Sequence, residues 1–95
     1  MALQLETLDG RHSGNMFFKY RVWVYGPDRI RDFINVRNWC WEVWGSSCER
    51  EDYMMSYSDQ DVVTNSQWAW HKVDRSRYIY LVNDQALAFF KLKWL

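Results

Sequence analysis

Gly26-Pro27 cuts the chain at the point that most constrains its fold. Before it, MFFKYRVWVYG (residues 16–26) is rich in the aromatic and β-branched residues that suit a pleated, half-buried strand. After it, proline presets the backbone for a first helical turn, and Asp28 and Asp32 lie where the positive end of a helix dipole favours acids. The helical pattern runs to about Trp44 and stops at Gly45, a natural left-handed cap. A strand followed so closely by a helix predicts an α+β layer, with the helix laid back on the sheet.

Parity divides the strand. Phe18, Tyr20, Val22 and Val24 form one side, expected to pack on helices. Phe17, Lys19, Arg21, Trp23 and Tyr25 form the other, where basic and aromatic groups mix. In the helix, Ile30, Phe33, Ile34, Cys40 or Trp41, and Trp44 make an apolar stripe expected to face the core. Val36, Trp39 and Val43 make a second ridge that one sheet need not cover.

Beyond the helix, CEREDYMMSYS (48–58) reads as a strand with an acidic start, and SDQDVVTNS (58–66) as a polar excursion. QWAWHKV and RYIYLV read as a hairpin closed by Asp74-Arg75-Ser76, with Trp68, Trp70 and Lys72 on the side opposite Ala69, His71 and Val73. Asn83 or Asp84 caps a final helix, DQALAFFKLKW, with Lys91 and Lys93 at its negative end. Residues 1–15, with Gly10, Ser13, Gly14 and Asn15 and no sustained period, read as an N-terminal arm on a single domain of residues 16–95. The expected fold is a mostly antiparallel sheet of about four strands with two helices on one face, in the order β-α-β-β-β-α.

Composition then limits function. The 95 residues leave room for one core, yet they carry 7 Trp, 6 Tyr and 5 Phe. Each ring buries roughly 150–250 Å² when enclosed, so several belong at a surface or an interface. Formal net charge is zero, which argues against a dedicated duplex-DNA binder. Charge is nonetheless segregated: six basic residues against two acids between Arg11 and Arg37, then six acids against Arg50 alone between Glu42 and Asp61. Such segregation favours charge-complementary contact, including contact with a second copy. Two cysteines make no disulfide framework, and no apolar run approaches membrane-spanning length. The expected setting is soluble and cytoplasmic, with both thiols reduced and inert.

No reaction or cofactor is expected. His12 and His71 are the only histidines, and neither lies in a nucleophile signature with Cys40 or Cys48. The spacing of these four residues matches no zinc site, and the four glycines form no phosphate loop. QALAF (85–89) is similar to the Q-x-L-x-F peptide by which bacterial proteins engage the replication clamp, but such peptides bind extended and this one lies in a predicted helix. Its Leu87, Phe90 and Leu95, or Phe89 and Leu92, read instead as the buried side of that helix. The leading candidate is a binding surface built from Lys19, Arg21, Trp23 and Tyr25 with Trp68, Trp70 and Lys72, or Tyr78 and Tyr80, joined by the Trp39 ridge. Such a platform can stack single-stranded nucleic acid or anchor a protein, and the neutral balance favours protein.

RVWVYG…RNWCWEVWGSS, a Trp-rich hairpin and YIYLVNDQALAFFKLKW together resemble small proteins encoded by tailed bacteriophages. The resemblance spans residues 17–95 and transfers no catalytic residue. It implies a viral protein in an infected bacterial cytoplasm, acting stoichiometrically by blocking a host or defence factor, by self-association as in a homodimer, or as a minor virion component.

Overall fold

The computed structural model describes residues 1–55 and 64–95. The fold is α+β. Strands β1 (Ala2–Thr7), β2 (Tyr20–Tyr25), β3 (Trp68–Val73) and β4 (Ser76–Leu81) form one antiparallel sheet in the order β1-β2-β4-β3. Helices are α1 (Arg29–Trp44), α2 (Arg50–Met54) and α3 (Asp84–Trp94). Strands β2 and β3 are each antiparallel to β4, so they run parallel to one another, and α1 carries the chain between them.

Two helices do cover one face. Val22, Val24, Ile79, Leu81 and Trp68 from the sheet enclose one core with Phe33, Val36 and Cys40 of α1 and Ala86, Leu87 and Phe90 of α3. The α3 helix begins as its sequence predicts, with the Asn83 side chain accepting from the Ala86 backbone N–H at 2.9 Å. The hairpin also forms as expected: Asp74 takes φ of 51° in the two-residue turn, a conformation aspartate tolerates.

Residues 2–7 are the outer strand of the sheet, paired with β2 from Ala2↔Tyr25 to Thr7↔Tyr20, so the expected arm is largely a structural element. The period-2 signal was present: Leu3 and Leu5 pack on the core, while Gln4 and Glu6 occupy the opposite face. The strand expected over 48–58 is corrected to the short helix α2, and residues 56–63, with most of the polar excursion, lie outside the described residues. Glu49 caps α2 by accepting from the Arg50 N–H, and Glu51 and Asp52 fill its first turn, so the acids that read as a strand's start are a helix-start signal.

The buried line of α1 also differs from the expected stripe. Phe33, Val36 and Cys40 are enclosed, whereas Ile30, Ile34 and Trp41 are 54%, 42% and 45% exposed. The helix must satisfy α3 as well as the sheet, and α3 lies on its Trp39 side. That second contact turns the buried arc away from Ile30, Ile34 and Trp41.

Candidate functional site

Register places the candidate residues. Gln4, Trp23, Tyr78 and His71 form one cross-sheet row, Glu6, Arg21, Tyr80 and Ala69 the next, and Ala2 with Tyr25 ends the face. Phe17, Phe18 and Tyr53 cover the Tyr80–Ala69 end, with the Phe18 and Tyr53 rings 4.7 Å apart. The Trp23–Tyr25 end has no helix over it among the described residues. This uncovered half is the candidate site.

Its surface is aromatic and internally neutral. The Trp23 and Tyr25 rings lie 4.8 Å apart and 30° from coplanar. Arg21 sits 4.6 Å above the Tyr78 ring and also pairs through Nε with Glu6. Deeper in, His71 stacks on Tyr78, and its Nδ1 lies 2.5 Å from Glu49 Oε1. Arg50 pairs with Glu51 and donates to the Tyr80 hydroxyl at 3.0 Å. Lys19, just before β2, reaches away to Asp84 at 2.9 Å. Each of the cations Lys19, Arg21 and Arg50 thus has a carboxylate from this chain.

Two parts of the expected platform are corrected. Trp68, Trp70 and Lys72 lie on the other face of the sheet, because Trp70 pairs with Ile79 and Ile79 with Val22. Trp68 is fully buried and donates its indole N–H to the Gly45 carbonyl, while Trp70 is half-buried beneath Arg37 and Trp41. Trp39 is no free ridge: it meets Trp44, Phe90 and Trp94 edge-to-face in the seam between α1 and α3. Arg21, Trp23, Tyr25, Tyr78 and Tyr80 share one face of the sheet, as the second form of the hairpin platform expects, but Tyr80 is fully buried there rather than open to a ligand. Gln4, Glu6, Glu49 and His71 were missed, and only the alternation of Leu3 and Leu5 with Gln4 and Glu6 offered a signal for the first two.

The reactive side chains are held in quiet states. Burial pushes the Cys40 thiol strongly up, and burial with the nearby Asp52 and Glu49 charges pushes Cys48 up to about 11. His12 is tied to Asp9 at 3.1 Å in a surface turn far in sequence from His71. Among the described residues no group of three or more His, Cys, Asp or Glu could hold a metal, and no helix is long and apolar enough to cross a membrane. Leu87 of QALAF is buried within α3, so the extended form that a clamp peptide needs is absent from the folded chain. The chain matches no protein-family model, no curated protein and no solved structure.

Proposed function

We propose that this protein is a stoichiometric binding protein that docks another protein on the uncovered half of its sheet, with Trp23 and Tyr25 as anchors and Arg21 and Tyr78 as a pre-ordered rim. One observation carries the reading: the surface presents paired rings while its cations are already neutralised by Glu6, Glu51 and Asp84. Rings held rigid by a sheet lose little entropy on binding, and aromatic anchors dominate protein interfaces. A phosphate backbone would have to displace these internal carboxylates before it gained its own contacts. With the resemblance to phage-encoded proteins, the proposed role is occlusion of a host or defence factor in an infected bacterial cytoplasm.

A second reading, single-stranded nucleic-acid binding, draws on the same Trp23–Tyr25 ring pair, half-buried and exposed respectively, on an antiparallel sheet. Affinity capture from bacterial lysate separates the two when run with the wild-type chain and Trp23→Ala in parallel. Protein binding is upheld by a discrete partner lost on Trp23→Ala while far-ultraviolet circular dichroism is unchanged. Retention of the same partner by Trp23→Ala rejects the site. Salt-sensitive tryptophan quenching by oligonucleotides, with no captured protein, transfers the site to nucleic acid.

A further inference from the structure

On the helical side of the molecule, α1 has two flanks, and among the described residues only one packs against another helix. Trp39 fills the flank toward α3, against Phe90 and Trp94. The other carries Ile30, Ile34, Arg37 and Trp41, at spacings i, i+4, i+7 and i+11. At 100° per residue these four fall within an arc of roughly 60°, a narrow stripe running about 16 Å along the axis. Ile30, Ile34 and Trp41 are each about half exposed, and no described element lies over them. Trp41 leans on Trp70, 6.0 Å between ring centres, and Arg37 lies 5.4 Å from the same ring, so the C-terminal half of the stripe is braced by the sheet.

Two hollows bracket this stripe. One, about 410 Å³, is bordered by Pro27, Ile30, Arg31 and Ile34; the other, about 400 Å³, by Arg37, Asn38, Trp41 and Glu42. Each hollow carries both signs, Asp28 with Arg31 at the first and Arg37 with Glu42 at the second. Arg31 stands beside the first hollow and Glu42 beside the second, both on the outer side of the stripe. Arg31 has only an exposed local pair with Asp28 at 3.2 Å, and Glu42 has no ion pair among the described residues.

We propose that two copies of this chain associate through this flank of α1, antiparallel about a two-fold axis near Asn35 and Val36, each placing Ile30 at the partner's Trp41 hollow and Arg31 opposite the partner's Glu42. The register follows from the sequence positions. An axis midway between Ile30 and Trp41 lies within one residue of the midpoint of Arg31 and Glu42, so a single rotation serves both pairings. Antiparallel order is required because residues on the same side of a stripe meet across the seam only when the helices run in opposite directions. In a parallel pair each Arg31 would sit level with the other Arg31. Two-fold pairing presents the same patch from both copies, as a closed dimer demands. An interface confined to one helix flank falls below about 1,200 Å² in total, so the dimer is weak and concentration-dependent. It uses neither Trp23 nor Tyr25 and stands independently of the sheet-face reading.

Sedimentation velocity on the full chain over a concentration series tests this. The wild type is expected to shift from monomer toward dimer as concentration rises, and Ile34→Glu to stay monomeric with unchanged circular dichroism. Arg31→Glu and Glu42→Arg, at exposed positions that leave folding intact, are each expected to weaken association by roughly tenfold. Mixing those two variants, or combining both changes in one chain, returns opposite charges to every Arg31–Glu42 contact and is expected to restore it. A wild type monomeric at every concentration overturns the proposal. So does an Ile34→Glu chain that dimerises like the wild type, or a charge reversal that fails to rescue.

Discussion

The indole N–H of Trp68 donates to the carbonyl of Gly45 at 3.0 Å, joining the end of α1 to the first residue of β3. Gly45 has φ of 95°, open to glycine and costly for other residues, and this turns its carbonyl toward the core. Trp68 is also among the largest fully enclosed side chains, so one residue supplies both packing volume and the seal at the helix terminus.

Trp68→Phe removes the donor, strands the Gly45 carbonyl and leaves a gap. The expected loss is about 2–4 kcal/mol, against a total of about 5–15 kcal/mol for a domain of this kind. Trp68→Ala costs more and leaves the protein partly unfolded at ambient temperature. Urea titration followed by circular dichroism measures both. A change under about 1 kcal/mol for Trp68→Phe contradicts the role assigned to it.

Deleting residues 2–8 tests whether the N-terminal segment is part of the fold. The deletion removes Leu3 and Leu5 from the main core and Leu8 from the second cluster, and it bares the edge of β2. The expected result is a lower unfolding midpoint and a tendency to aggregate through the exposed strand edge. A detachable leader would leave the midpoint unchanged.

Both cysteines are expected to resist alkylation at neutral pH, for different reasons. Cys40 is sealed and reacts only on unfolding, whereas Cys48 is partly accessible but almost wholly protonated with its pKa near 11. Labelling of Cys48 therefore rises as pH climbs toward 11 while Cys40 stays silent. Rapid modification of either at pH 7 contradicts these environments.

Lys19, Tyr20 and Asp84 couple stability to pH at both extremes. Hydrogen bonds from Tyr20 (2.5 Å) and Lys19 hold the Asp84 carboxyl below its ordinary 3.8, and Arg11 holds Asp9 at about 2. Carboxyls depressed on folding add stability above their unfolded pKa, and this is lost as pH falls from about 4 toward 2. Bonding to Asp84 raises Lys19 above 10.5 and Tyr20 above 10.0, so their contribution is full below those values and is lost as pH rises past them. All of these groups are solvent-exposed, so each effect is small. Asp84→Asn is expected to flatten both limbs of the urea midpoint against pH. An unchanged acid limb and alkaline limb would reject the coupling.

Local chemistry made much of this fold legible in the sequence. Gly26-Pro27 separates β2 from α1, Asn83 caps α3, Asp74-Arg75 closes the hairpin, and parity assigns Val22 and Val24 to the interior. Each depends on residues within a few positions of one another, where backbone preference and period are strong. The acids of 49–52 were legible too, but as a helix start rather than the start of a strand.

The composition of each surface, by contrast, was set by long-range partners. Whether Trp23 shares a face with Trp70 or with His71 depends on how β2 registers with β4 and β4 with β3; an offset of one residue exchanges every side chain between faces. Whether Trp39 or Trp41 meets solvent depends on where α3 docks, because two neighbours rather than one orient α1. The sequence determined that rings would outnumber the places to hide them. Only the assembled sheet and helix layer decided that Trp68 would be enclosed, Trp23 half-buried, and Tyr25 and Trp41 exposed, because side-chain burial is a property of the packed neighbours.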